Sequence, residues 1–78
     1  MGTRRQNERK FANWTELPNG GRRYWRDVPG QTAGTARYIK VVDSNETTLS
    51  LRQEIYDDNG KLVEIHDKYP VDTGHRMV

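Results

Sequence analysis

A chain of 78 residues with 32% apolar and aromatic side chains and no cysteine is one small domain, and neither disulfides nor thiolate-bound metal can staple it. No apolar run approaches the ~18 residues of a membrane helix, and a single core in a domain this small contributes only about 3–5 kcal/mol, so a partner or a second copy is the expected supplement. The net charge of +2 is divided along the chain: residues 1–40 hold nine Lys/Arg against three Asp/Glu, and residues 41–78 hold four against eight, which predicts either internal neutralisation or one face built to meet an anion.

In chain order, residues 1–10 contain no large apolar side chain after Met1 and read as a flexible basic arm, disordered ahead of the domain. A short helix over Asn7–Trp14 is also compatible with this stretch. With no hydrophobic segment the arm is not a secretory signal, and a soluble, cytoplasmic protein is expected. The ordered domain is expected over residues 11–78. Its punctuation is that of a β protein: Pro18-Asn19-Gly20-Gly21, Pro29-Gly30, Gly34, Asp43-Ser44-Asn45 and Asp57-Asp58-Asn59-Gly60. The runs between are rich in β-branched and aromatic residues and give strands at about 12–17, 22–28, 35–43, 47–56 and 61–68. No window after Phe11 carries a helical apolar stripe. The expected fold is all-β, a single curved antiparallel meander of four to five strands forming a small barrel-like sheet. One meander buries only one face, so a homodimer is expected, with Trp14, Tyr24, Trp25 or Tyr38 at the contact.

Hydrophobic parity selects a register for the hairpin around Asn59-Gly60. A three-residue loop, Asp58-Asn59-Gly60, pairs Asp57 with Lys61, Ile55 with Val63, Gln53 with Ile65 and Leu51 with Asp67. One face then collects Leu49, Leu51, Ile55, Val63, Ile65 and Tyr69. The other carries Arg52, Glu54, Tyr56, Leu62, Glu64 and His66, with Arg52 across from His66 and Glu54 across from Glu64.

Two constellations bear on function. Arg22, Arg23, Arg26, Arg37 and Lys40, interleaved with Tyr24, Trp25 and Tyr38, combine phosphate-neutralising cations with rings able to stack on unpaired bases, a pattern suited to single-stranded nucleic acid. The bland alternative is that the rings are core and the cations pair with the acidic half. The second constellation is Arg52, Glu54, Glu64 and His66. Set on one face, these could act as base, acid and phosphorane-stabilising cation of a metal-independent ribonuclease of the barnase or toxin type, with His75 and Arg76 contributing should the tail fold back over the sheet. Against this stands an ordinary solvated sheet face with cross-strand ion pairs. The tail, His66 to Arg76, reads as a loop because of Pro70 and Gly74, and its two His and two Asp lack a spacing that would fix a metal. No glycine-rich phosphate loop, nucleophile elbow or Cys/His pair is present, so no cofactor and no metal are assigned. The leading expectation is a non-catalytic binding module for an anionic partner: single-stranded nucleic acid first, an acidic protein surface next, and no membrane.

The segments Trp-x-x-Leu-Pro-Asn-Gly-Gly-Arg-Arg-Tyr-Trp at Trp14–Trp25 and Glu-Ile-Tyr-Asp-Asp-Asn-Gly-Lys-Leu-Val-Glu-Ile-His-Asp-Lys-Tyr-Pro-Val-Asp-Thr-Gly-His at Glu54–His75 resemble a family of short uncharacterised prokaryotic proteins. That resemblance implies no activity and no site residues. The Tyr-Asp-x-x-Gly-x-Leu piece is also similar to β-hairpins in the tails of bacterial toxins, a likeness that a hairpin turn alone explains.

Overall fold

Turn residues set the strand ends, and the computed structural model, which describes residues 3–30 and 34–78, is an all-β antiparallel sheet with one short helix. Helix α1 (Arg4–Lys10) is followed by β1 (Asn13–Glu16), β2 (Arg22–Pro29), β3 (Thr35–Val42), β4 (Thr48–Tyr56), β5 (Leu62–Tyr69) and β6 (Gly74–Met77). The strands lie side by side in chain order. Six strands are present among the described residues, not four to five, because the tail expected as a loop returns as β6 beside β5. The sheet is open: β1 and β6 are its two edges, so the meander does not close into a barrel.

The segment expected as a flexible arm is, from Thr3 on, a capped helix. Thr3 Oγ1 accepts from the Gln6 backbone N–H, and the Gln6 side chain accepts from the Thr3 N–H, a reciprocal capping box. Arg9 and Lys10 fall in the last turn, where cations complement the helix dipole. A helix this short is not stable by itself, so packing must hold it. Asn7 and the following Phe11 are both 2% exposed. Phe11 joins Tyr24 and Val42 in the central cluster, with Tyr38 packed against it.

Paired residues in an antiparallel sheet share a face, so register divides the side chains. The face that carries α1 holds Arg22, Tyr24, Arg26 and Val28 from β2, then Ala36, Tyr38, Lys40 and Val42 from β3. The opposite face holds Arg23, Trp25 and Asp27, with Arg37, Ile39 and Val41. Tyr24 and Val42 are fully buried under the helix.

The β4–β5 hairpin corrects the expected register. Its loop is the three-residue one, since the Asp57 N–H donates to the Lys61 carbonyl at 2.9 Å and Gly60 takes the left-handed conformation at φ 80°. Beyond the loop a bulge at Val63 shifts the ladder by one residue. Ile55 therefore pairs with Glu64, Glu54 with Ile65, Gln53 with His66 and Arg52 with Asp67. The expected pairs Arg52–His66 and Glu54–Glu64 do not form, and the expected all-apolar face is split. A second bulge, at Lys68, follows before Leu51 pairs with Tyr69.

Candidate functional site

Three of the expected nucleic-acid-binding residues serve to fasten the helix to the sheet. Tyr24 is fully buried and cannot stack on a base or form a dimer contact. Its hydroxyl donates to Glu46, whose carboxylate also accepts from Asn7 Nδ2 at 2.9 Å and from Arg4. Burial pushes the Glu46 carboxyl up, but these hydrogen bonds outweigh it and hold the group below the usual carboxylate range. Burial, reinforced by the bond to Glu46, pushes the Tyr24 phenol up. Arg22 is 8% exposed, pairs with Glu8 at 2.8 Å and Glu16 at 3.0 Å, and lies over the Trp14 and Tyr24 rings. Lys40 donates to Asn7 Oδ1 at 2.9 Å. Internal neutralisation therefore accounts for part of the basic half.

The remaining cations and rings lie on two faces. On the face away from α1, Arg23 lies over Trp25. Arg37 pairs with Asp27 at 2.7 Å and lies over Tyr56. That ion pair holds the Asp27 carboxyl below its usual range, with burial opposing. On the helix face, Arg26 lies 5.3 Å and Lys68 5.2 Å from the Tyr38 ring centroid. Neither cation forms a salt bridge among the described residues. Cation–ring distances within about 6 Å are attractive. Lys68 was absent from the expected set because it reaches Tyr38 only through its bulge in β5, which hydrophobic alternation does not signal.

Register places Tyr38 in a row that crosses five strands: Arg26, Tyr38, Gln53, His66 and His75 are successive partners from β2 to β6. Gln53 Nε2 donates to the Tyr38 hydroxyl at 3.2 Å. At the far end the His66 and His75 rings lie 4.6 Å apart. His66 Nε2 meets Asp72 at 2.6 Å and His75 Nδ1 meets Glu64 at 3.0 Å. The row is thus flanked by cations at the Tyr38 end and by the carboxylates of Asp72 and Glu64 at the histidine end.

The expected ribonuclease constellation is not assembled. Arg52 and Glu54 lie on one face with Asp67, while Glu64 and His66 lie on the other, as the partners of Ile55 and Gln53. Arg52 is engaged by Asp67 at 2.9 Å and by Glu54 at 3.5 Å. His75 does fold back beside Glu64, but Arg76 is held on the other face by Asp67. One ring nitrogen of His66 meets Asp72, and the other is buried, so neither is presented to a substrate. Among the described residues no group of three or more His, Asp or Glu side chains could hold a metal ion, and no helix is long and apolar enough to cross a membrane.

No family model, curated protein or solved structure matches this chain.

Proposed function

We propose that this domain is a non-catalytic binding module for an anionic partner, with single-stranded nucleic acid as the partner class and the Arg26–Tyr38–Lys68 end of the helix face as its contact. One observation carries this reading: two cations that form no salt bridge among the described residues flank one aromatic ring on an open sheet. Cations that neutralise phosphates beside a ring that stacks on a base are the two elements of sequence-tolerant single-strand binding. The row from Arg26 to His75 spans four inter-strand steps, about 19 Å at the usual strand spacing, which suits an extended strand lying across the sheet. Arg23 and Trp25 form a smaller basic-aromatic pair on the opposite face and serve as the internal comparison. Fluorescence anisotropy with a short labelled oligonucleotide tests the assignment. Tyr38→Ala should weaken binding by about fivefold or more, the worth of one base–aromatic stack, whereas Trp25→Ala should leave it nearly unchanged. The opposite ranking would move the contact to the other face.

A further inference from the structure

Between α1 and the sheet lies an open cleft of about 580 Å³, within the size range of small-molecule sites. Its lining is two-sided in chemistry. Lys10, at the end of α1, and Lys40, on β3, supply ammonium groups; Phe11, Leu51 and Tyr69 supply an apolar wall. Lys40 spends one hydrogen bond on Asn7, and an ammonium has three donors. Neither lysine forms a salt bridge among the described residues. Burial and then the charge of Lys10 push the Lys40 ammonium down, with Glu46 only partly offsetting them. An anion between the two lysines would relieve that repulsion. Tyr69 is 48% exposed as a residue and lines the cleft.

The cleft also continues the surface just described. Lys40, Leu51 and Tyr69 are successive register partners, one row over from Tyr38 and Gln53 on the same face. Rows on one face lie about 7 Å apart, and Lys68 bulges from β5 between Tyr69 and the strand residues that pair with Arg52 and Gln53.

We propose that this cleft is a one-nucleotide subsite that seats a phosphate between Lys10 and Lys40 and a base along Tyr69 and Leu51. The proposal rests on the reading of this face as a nucleic-acid surface. It is tested by titrating the protein with a nucleoside 5′-monophosphate, with inorganic phosphate and with an oligonucleotide, following backbone amide shifts in wild type and in Lys10→Gln and Tyr69→Ala. Both positions are exposed, and the amide spectrum of each variant reports whether the fold is intact. The nucleotide should shift the amides of Lys10, Lys40, Leu51 and Tyr69, and each variant should lose about fivefold or more in affinity. Inorganic phosphate should respond to Lys10→Gln and not to Tyr69→Ala. A nucleotide that leaves these amides unmoved, or that binds both variants as well as wild type, overturns the subsite. Should the oligonucleotide depend on Arg26 and Lys68 but not on Lys10 or Tyr69, the subsite fails and the broader reading stands. Should the mononucleotide fill the cleft as expected while no oligonucleotide binds, the subsite stands and the broader reading fails.

Discussion

The Tyr24 hydroxyl donates to the Glu46 carboxylate at 2.5 Å, tying the most buried ring of the sheet to a residue that holds the left-handed turn conformation at φ 66°. Asn7 reaches the same carboxylate from α1, so three distant segments meet on one charge. The apolar core alone is very small: Phe11, Tyr24, Ala36, Ile39 and Val42. This polar knot therefore takes over much of the work of fixing the helix.

Acid should loosen the domain through Glu46. Its folded-state carboxyl is held below the unfolded value, so its stabilisation is full above the ordinary Glu pKa of about 4.3 and is lost as pH falls through the folded value. Asp27 is held low in the same direction by Arg37. The thermal midpoint followed by circular dichroism should stay level from neutral pH to about 5 and then fall steeply. Glu46→Gln should melt earlier than wild type at neutral pH and show a shallower drop in acid.

Asn7→Ala should cost about 1–3 kcal/mol, the range for leaving buried polar groups unsatisfied. It strips a donor from Glu46 and the acceptor from Lys40. Hydrogen exchange should show α1 losing protection first, while β2 to β5 stay protected until global unfolding.

Two glycines separate backbone strain from collision. At Gly60, φ is 80° and an added Cβ would meet nothing within 4 Å, so Gly60→Ala should cost only the left-handed penalty, about 1–2 kcal/mol. At Gly34, φ is 74° and the Cβ would fall 1.9 Å from the Tyr56 carbonyl oxygen. Gly34→Ala should be clearly more destabilising in urea melts, because β3 must shift away from β4 as well.

What the sequence revealed followed from local chemistry. Asn-Gly and Asp-rich turns depend on neighbouring residues only, so the strands and the loop at Asp58-Asn59-Gly60 were legible. The bulge at Val63 was not, because Leu62-Val63 satisfies hydrophobic alternation in either register and parity cannot detect an extra residue. That single residue moves Glu64 and His66 to the face opposite Arg52 and Glu54. A short helix was legible over Asn7–Trp14, but α1 runs from Arg4 to Lys10; its true start is hidden because the side chain it buries is Asn7, which no apolar stripe marks. Strand β6 is short and polar, and cross-strand contacts fasten it: Arg76 to Asp67 at 2.6 Å and His75 to Glu64. The basic-aromatic pattern was visible, but alternation alone could not tell that Tyr24 is core while Tyr38 is flanked by Arg26 and Lys68.

The dispersal of Arg52, Glu54, Glu64 and His66 also predicts a biochemical outcome. Total RNA incubated with the protein and EDTA should remain intact. Cleavage by wild type that is lost in both His66→Ala and Glu64→Ala would contradict this and establish a catalytic role for the histidine end of the row.

The salt dependence of single-strand affinity reads the phosphate contacts of Arg26 and Lys68 themselves. Each phosphate neutralised on a single strand contributes a slope of about −0.7 to the plot of log affinity against log salt. Wild type should bind a short single-stranded oligonucleotide at about 50 mM salt with a clearly negative slope, and Arg26→Gln/Lys68→Gln should flatten that slope by about 1.4. Undetectable wild-type binding at that salt concentration, or an unchanged slope in the double variant, would contradict the account.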